Sequence, residues 1–248
     1  MKLNKLFGIH AVQAALDYSP DKIIQVWVDR ERQDKRLGAL LEQLGQHNIV
    51  IETSNRKKLD GFADGKSHQG IVANVQLPAL KTEAQLKDDV RVLDGLPFFL
   101  VLDQIQDPHN LGACLRSADA AGVNGIIITK DNASGITSTV CKVASGAAET
   151  IPVYQVTNLA RCLRWLKTEN IWIVGSTGEA TETIFEANLN ISLALVMGTE
   201  GSGMRRLTQE HCDLLVKIPM VGHVESLNVS VAAGIMIYEV LRQRGINA

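Results

Sequence analysis

Residues 226–242 read SLNVSVAAGIMIYEVLR, and the reading of this run decides the fold. From Val229 onward, Val231, Ala232, Ala233, Gly234, Ile235, Met236, Ile237, Val240 and Leu241 leave almost no polar side. The spacing therefore predicts a helix buried nearly all round, which needs layers of structure on both sides of it. Its first residues are polar. Ser226 and Asn228 stand where the helix begins, and the free N–H groups of a helix N-terminus suit an electron-rich group. The same two residues also read as an ordinary cap on a core helix, so their meaning depends on what other segments bring to them.

Working outward from that helix, the chain alternates apolar strands with helices. Strands are expected at 98–102 (FFLVL), 125–129 (GIIIT), 153–156, 171–174 (IWIV), 193–197 (LALVM) and 214–218. Helices are expected at 111–121, 137–146, 158–166 and 207–212. Near-continuous apolar strands separated by helices predict an α/β domain with a mostly parallel sheet covered on both faces. Ligands of such sheets gather at the carboxyl ends of the strands.

Before residue 78 the pattern is smaller in scale. Helical spacing at 8–17, a β-rich run at 23–28 (IIQVWV), a helix at 34–44, a short strand at 49–52 and a last strand in IVANVQL describe a compact α/β unit. The stretch 78–97 turns polar and charged and is read as a linker, with 82–93 able to form a helix. The expected organisation is thus 1–77, a linker at 78–97, and a domain at 98–248.

The 248 residues carry a net charge of -2 at a pI near 6.3, so no global basic signal marks a nucleic-acid binder. The balance is uneven: residues 1–77 hold 11 Lys+Arg against 9 Asp+Glu, and the remainder 14 against 18. Arg30, Arg32, Lys35, Arg36, Arg56, Lys57 and Lys58 form either a phosphate-facing surface or a set of solvated charges interspersed with Asp29, Glu31 and Asp34. Cys114, Cys141, Cys162 and Cys212 lie far apart with no C-x-x-C pair, which argues against a zinc site or a disulfide framework. The six histidines show no metal-ligand spacing, and a reducing cytoplasm is expected.

Three segments combine glycine with functional polar residues at strand ends. The first, 107–122, reads DPHNLGACLRSADAAG and offers Asn110 and Arg116. The second, 196–204, reads VMGTEGSGM and sets three glycines around Glu200. Its G-x-x-G-x-G order is neither the dinucleotide fingerprint nor a Walker loop. The third joins Ile218-Pro219-Met220 to the opening run.

In this order and spacing the three segments resemble the motifs of the knotted SPOUT-superfamily ribose methyltransferases of the TrmH type. The earlier FGIHAVQAAL (7–16) and HQGIVA (68–73) segments resemble the small substrate-binding domain, related to ribosomal protein L30e, of bacterial enzymes that methylate a guanosine ribose in 23S ribosomal RNA. The resemblance implies a deep trefoil knot in the second domain, one of the rare exceptions to unknotted folding. It implies S-adenosylmethionine as co-substrate with no metal, and 2'-O-methylation of a guanosine in the peptidyl-transferase region. The backbone at Gly198, Ile218 and Leu227 would hold the co-substrate, with Thr177, Gly178 and Met220 beside it.

By the same resemblance, Arg116 acts on the ribose hydroxyl, Asn110 positions the ribose or Arg116, and Glu200 holds Arg116 or another donor. Ser226 and Asn228 complete the polar mouth. Arginine is a cation throughout the physiological range, which favours electrostatic stabilisation of a developing alkoxide over a literal general base. A homodimer is implied, in which one subunit holds the co-substrate and its partner contributes Arg116 or Asn110. The alternatives are a ribose methyltransferase for transfer RNA or another ribosomal site, and a non-catalytic assembly factor that keeps the fold.

Overall fold

The computed structural model describes residues 4–32, 34–63, 67–199, 201 and 203–245. The chain falls into two compact units, Met1–Ala79 together with Ile136–Thr150, and Leu80–Gly135 together with Ile151–Ala248.

In the first unit, β1 (Asn4–Phe7), α1 (Ile9–Tyr18), β2 (Ile23–Asp29), α2 (Lys35–Gln46), β3 (Val50–Ser54), α3 (Arg56–Ala63) and β4 (Ile71–Val75) follow in order. The sheet runs β1-β4-β2-β3, with β4 antiparallel to both neighbours and β2 parallel to β3. Helix α2 starts where Asp34 accepts the Leu37 N–H at 3.0 Å and buries Leu37, Leu40 and Leu44 along one face. On the α3 side, Trp27, Leu59 and Val72 form a small core, the Trp27 and Phe62 rings lying 4.7 Å apart.

The second unit begins with β5 (Lys81–Thr82) and α4 (Glu83–Arg91). The stretch read as a linker therefore carries an edge strand and a helix. Thr82 and Gln85 close a capping box, and Leu86 and Val90 enter the same core as Tyr154. Then come β6 (Phe98–Leu102), α5 (Pro108–Ala120) and β7 (Gly125–Thr129). The chain next forms α6 (Ser138–Ala144) and α7 (Ala147–Thr150), which belong to the first unit, before returning as β8 (Val153–Val156). It ends with α8 (Leu159–Thr168), β9 (Trp172–Ser176), β10 (Glu182–Thr183), β11 (Leu193–Met197), α9 (Arg206–Gln209), β12 (Leu214–Lys217) and α10 (Val229–Gln243).

The sheet of this unit runs β10-β12-β9-β11-β6-β7-β8-β5, and all its pairings are parallel. Strands β6, β7 and β11 are buried along their whole length, as continuous apolar runs require. From β6 the chain steps outward through β7 and β8, then crosses over to build β9 to β12 on the other flank, so β6 and β11 meet where the winding reverses. Their carboxyl ends form the crevice in which open parallel sheets bind ligands.

Helix α10 departs from the expectation that it is buried nearly all round. Val231 and Tyr238 are each 51% exposed, while Ala233, Met236, Ile237 and Val240 are buried. One apolar stripe is covered within the chain and another is not. No described helix is long and apolar enough to cross a membrane.

Candidate active site

The crevice at β6 and β11 opens into a pocket of about 340 Å³ lined by Gln104, Ile105, Gln106, Asp107, Asn110, Thr199 and Val229. Its floor is set by local folding rules. Asp107 caps α5 by accepting the His109 N–H at 2.8 Å, and Pro108 follows in the first turn, where a missing N–H costs nothing. Asn110 is thereby fixed in that turn and buried.

Asn228 caps α10 from the other side. Its Oδ1 accepts the Ser230 N–H at 3.0 Å and the Ser230 hydroxyl at 2.6 Å, and its Nδ2 donates to Asn110 Oδ1 at 3.0 Å. The two asparagines of the first and third motifs thus tie two helix N-termini together at the pocket. Asn228 is thus the cap of α10 and, through its bond to Asn110, a neighbour of the pocket.

Other expected residues fall at the same sheet edge. Gly198 follows β11, and a Cβ there would overlap the backbone of Gly203 and Met204, so only glycine fits. Thr199 and Gly203 exchange two backbone hydrogen bonds of 3.0 Å and close the turn between them. Thr177 and Gly178 follow β9, where Gly178 faces open space, and Ile218 and Met220 follow β12. Leu227 is half-buried and Ser226 exposed just before the α10 cap. Glu200 lies outside the described residues.

Among the described residues predicted for the site, Asn110 is the one that lines this pocket, and Arg116 stands away from it. It lies six positions after Asn110 on α5, about 9 Å along the axis at 1.5 Å per residue and on a different flank. There it is exposed and makes no ion pair among the described residues.

The sequence reading missed Asp103. This carboxylate, 1% exposed, ends β6 and accepts from Arg205 and Thr208. The signal was present: a single acid directly after five apolar strand residues.

Residues 97–238 match the SpoU rRNA methylase family, and residues 5–80 match a domain described as RNA 2'-O ribose methyltransferase substrate binding. The chain belongs to the SpoU rRNA methylase family. Among its relatives, the 23S rRNA (guanosine-2'-O-)-methyltransferase RlmB of Shewanella oneidensis is 52% identical over 98% of both chains. RlmB of Escherichia coli K12 is 53% identical over 96% of this chain and 98% of its own.

Solved SpoU structures share the fold. The methyltransferase AviRb of Streptomyces viridochromogenes in complex with AdoMet aligns at a TM-score of 0.79, 23% identity, and coverage of 99% and 92%. A crystal structure named RNA 2'-O ribose methyltransferase aligns at 0.77, 26% identity, and coverage of 98% and 89%. In this SpoU chain the family match spans the crevice strands, both capping asparagines and most of α10.

Proposed function

We propose that the protein transfers the methyl group of S-adenosylmethionine to the 2'-oxygen of a guanosine ribose in 23S ribosomal RNA. The observation that carries this reading is the 52% identity over 98% of both chains to a 23S rRNA (guanosine-2'-O-)-methyltransferase. The residues at the carboxyl edge of the sheet fit the co-substrate. Gly178 leaves the backbone bare, Gly198 lets the Gly203–Met204 backbone close over the end of β11, and Met220, Val221 and Val224 stand exposed as apolar side chains in the segment that leads to half-buried Leu227. Thr177, Gly178, Gly198, Ile218, Met220 and Leu227 are the residues that would hold it.

When bound, S-adenosylmethionine supplies an already activated sulfonium methyl. The protein must orient a weakly nucleophilic hydroxyl and stabilise the charge that grows on it. The Asn110–Asn228 pair positions the ribose at the pocket mouth, aided by Ser226. The Arg116 guanidinium stabilises the alkoxide, with Glu200 holding it in place. Since Arg116 stands away from the pocket of its own chain, a homodimer supplies it across subunits. Asn110, already bonded to Asn228, serves its own pocket. The exposed Val231 and Tyr238 stripe of α10, packed beside α5, supports such a dimer. Residues 1–77 are the RNA-binding part of this reading, 98–248 the catalytic part with its knot, and the cytoplasm the place of action.

Mapping 2'-O-methyl groups in 23S ribosomal RNA from a deletion strain tests the proposal. Loss of a single guanosine methyl in the peptidyl-transferase region, restored by the gene, is expected. A complete set of ribosomal methyls with one missing from transfer RNA would move the assignment to the alternative substrate.

A further inference from the structure

Beyond the pocket residues, the described structure contains one buried carboxylate whose hydrogen bonds all go to the segments that frame the pocket. The Asp103 N–H donates to Met197 O at 2.8 Å, tying the ends of β6 and β11. Its Oδ1 accepts from Arg205 Nε at 2.9 Å and pairs with Arg205 Nη2 at 2.7 Å. Its Oδ2 accepts from Thr208 Oγ1 at 2.7 Å and from the Arg205 N–H at 3.3 Å. Arg205 immediately follows Met204, whose side chain is buried under Gly175 and whose carbonyl accepts from Gln209 at 3.2 Å.

We propose that Asp103 is a positioning residue for methyl transfer. Through Arg205 and Thr208 it anchors the foot of the Thr199–Gly203 turn, and so sets where Thr199 stands at the pocket wall. The Thr199–Gly203 turn includes Gly201 and Gly203, which lack the Cβ that restricts backbone conformation. Its near end is fixed by β11; its far end needs a second anchor, and a carboxylate receiving charge-assisted bonds from a forked guanidinium is a rigid one. The carboxylate is the buried partner, so removing Arg205 leaves a desolvated charge held by Thr208 alone, whereas Arg205 itself is 48% exposed. The inference rests on the methyl-transfer reading of the pocket.

The test compares Asp103→Asn, Arg205→Met and Arg205→Lys with the wild type in the full-length protein. Co-substrate affinity is read by calorimetric titration with S-adenosylmethionine, the chemical step by single-turnover transfer to a 23S ribosomal RNA fragment, and RNA affinity by filter binding. For Asp103→Asn and Arg205→Met the expected result is co-substrate affinity weakened about tenfold and a single-turnover rate lowered about a hundredfold at saturation, the scale of a misplaced reacting geometry. RNA affinity is expected to stay within about twofold, and Arg205→Lys, which keeps a cation in reach of Asp103, to recover most of the loss. Arg206→Met serves as control, since the Arg206 side chain is 92% exposed and among the described residues pairs only with Glu210 at 2.8 Å.

Wild-type affinity and rate in Asp103→Asn and Arg205→Met overturn the proposal. So does a loss that disappears when the assay is run well below each variant's melting temperature, for that is stability alone. If Asp103→Asn does not fold, the two Arg205 variants decide the question from the exposed side. If the wild type itself transfers no methyl to the RNA, the functional reading fails, and the co-substrate titrations still decide whether Asp103 sets the turn.

Discussion

At Gly198 a single hydrogen atom decides whether the chain can fold back over the end of β11. A Cβ there would overlap backbone atoms of Gly203 and Met204, which cannot swing aside as a side chain can. Gly198→Ala is therefore expected to push the turn off β11, to destabilise the protein by about 1–3 kcal/mol as overpacked sites do, and to weaken S-adenosylmethionine binding more than tenfold. Gly178→Ala is the matched comparison, because a Cβ there meets nothing within 4 Å, and its stability should stay within about 0.5 kcal/mol of the wild type. Thermal melts and co-substrate titrations check both, and a Gly198→Ala protein of unchanged affinity would refute the steric argument. The three glycines of 196–204 were legible in the sequence as a glycine loop after an apolar strand. Which of them is indispensable was not, since that depends on residues five and six positions later folding back over Gly198. Asp103 was overlooked for a related reason: its partners Arg205 and Thr208 lie more than a hundred residues away.

Among the elements, the long apolar strands and the periodic helices were legible, because burial on both faces of a parallel sheet leaves a continuous apolar signature. The two-residue strands β5 and β10 carry too few residues for any period to show. Helix α10 was read as covered all round, yet Val231 and Tyr238 are open; a sequence tells which side chains are apolar, not which faces one chain can cover. The layers between helices and sheet also hold two buried thiols, Cys114 on α5 and Cys162 on α8. Burial pushes both up to about 12, against about 8.5 for a thiol in an unfolded chain. The native state thus keeps protons that the unfolded state releases. Stability from these groups is fully present below about pH 8.5 and declines as pH rises from there towards 12. Melting temperatures measured at pH 7.5, 9 and 10 should fall in that order, and the fall should lessen in Cys114→Ala/Cys162→Ala, whose own melting temperature is lower throughout. An identical slope in that variant would assign the alkaline loss to other groups.

For the molecule as a whole, the proposed role of Arg116 turns on how it could act at a pocket from which its own helix turns it away. Residues 110 and 116 cannot share one face of α5 at 3.6 residues per turn. Arg116 then either has no part in the chemistry, moves to the pocket of its own chain when RNA binds, or, as proposed, is presented by a second subunit. The proposed twofold dimer would exchange the contribution reciprocally, and the uncovered stripe of α10, a helix that packs on α5, offers an apolar surface for it. Arg116→Ala and Asn110→Ala homodimers should each be inactive while still binding S-adenosylmethionine. After subunit exchange in an equimolar mixture, half the dimers are mixed. In each of those, one pocket has its own Asn110 and an intact Arg116 from the partner, while the other pocket lacks both. Activity should therefore return to about a quarter of the wild-type value per subunit. Tyr238→Glu, which places a charge in the proposed interface, should lower both the dimer fraction in sedimentation and the rate at dilute protein. A mixture that stays as inactive as its parents, with exchange verified by mass spectrometry, would mean that both residues act within one chain. The solvent-facing position of Arg116 would then have to change when RNA binds.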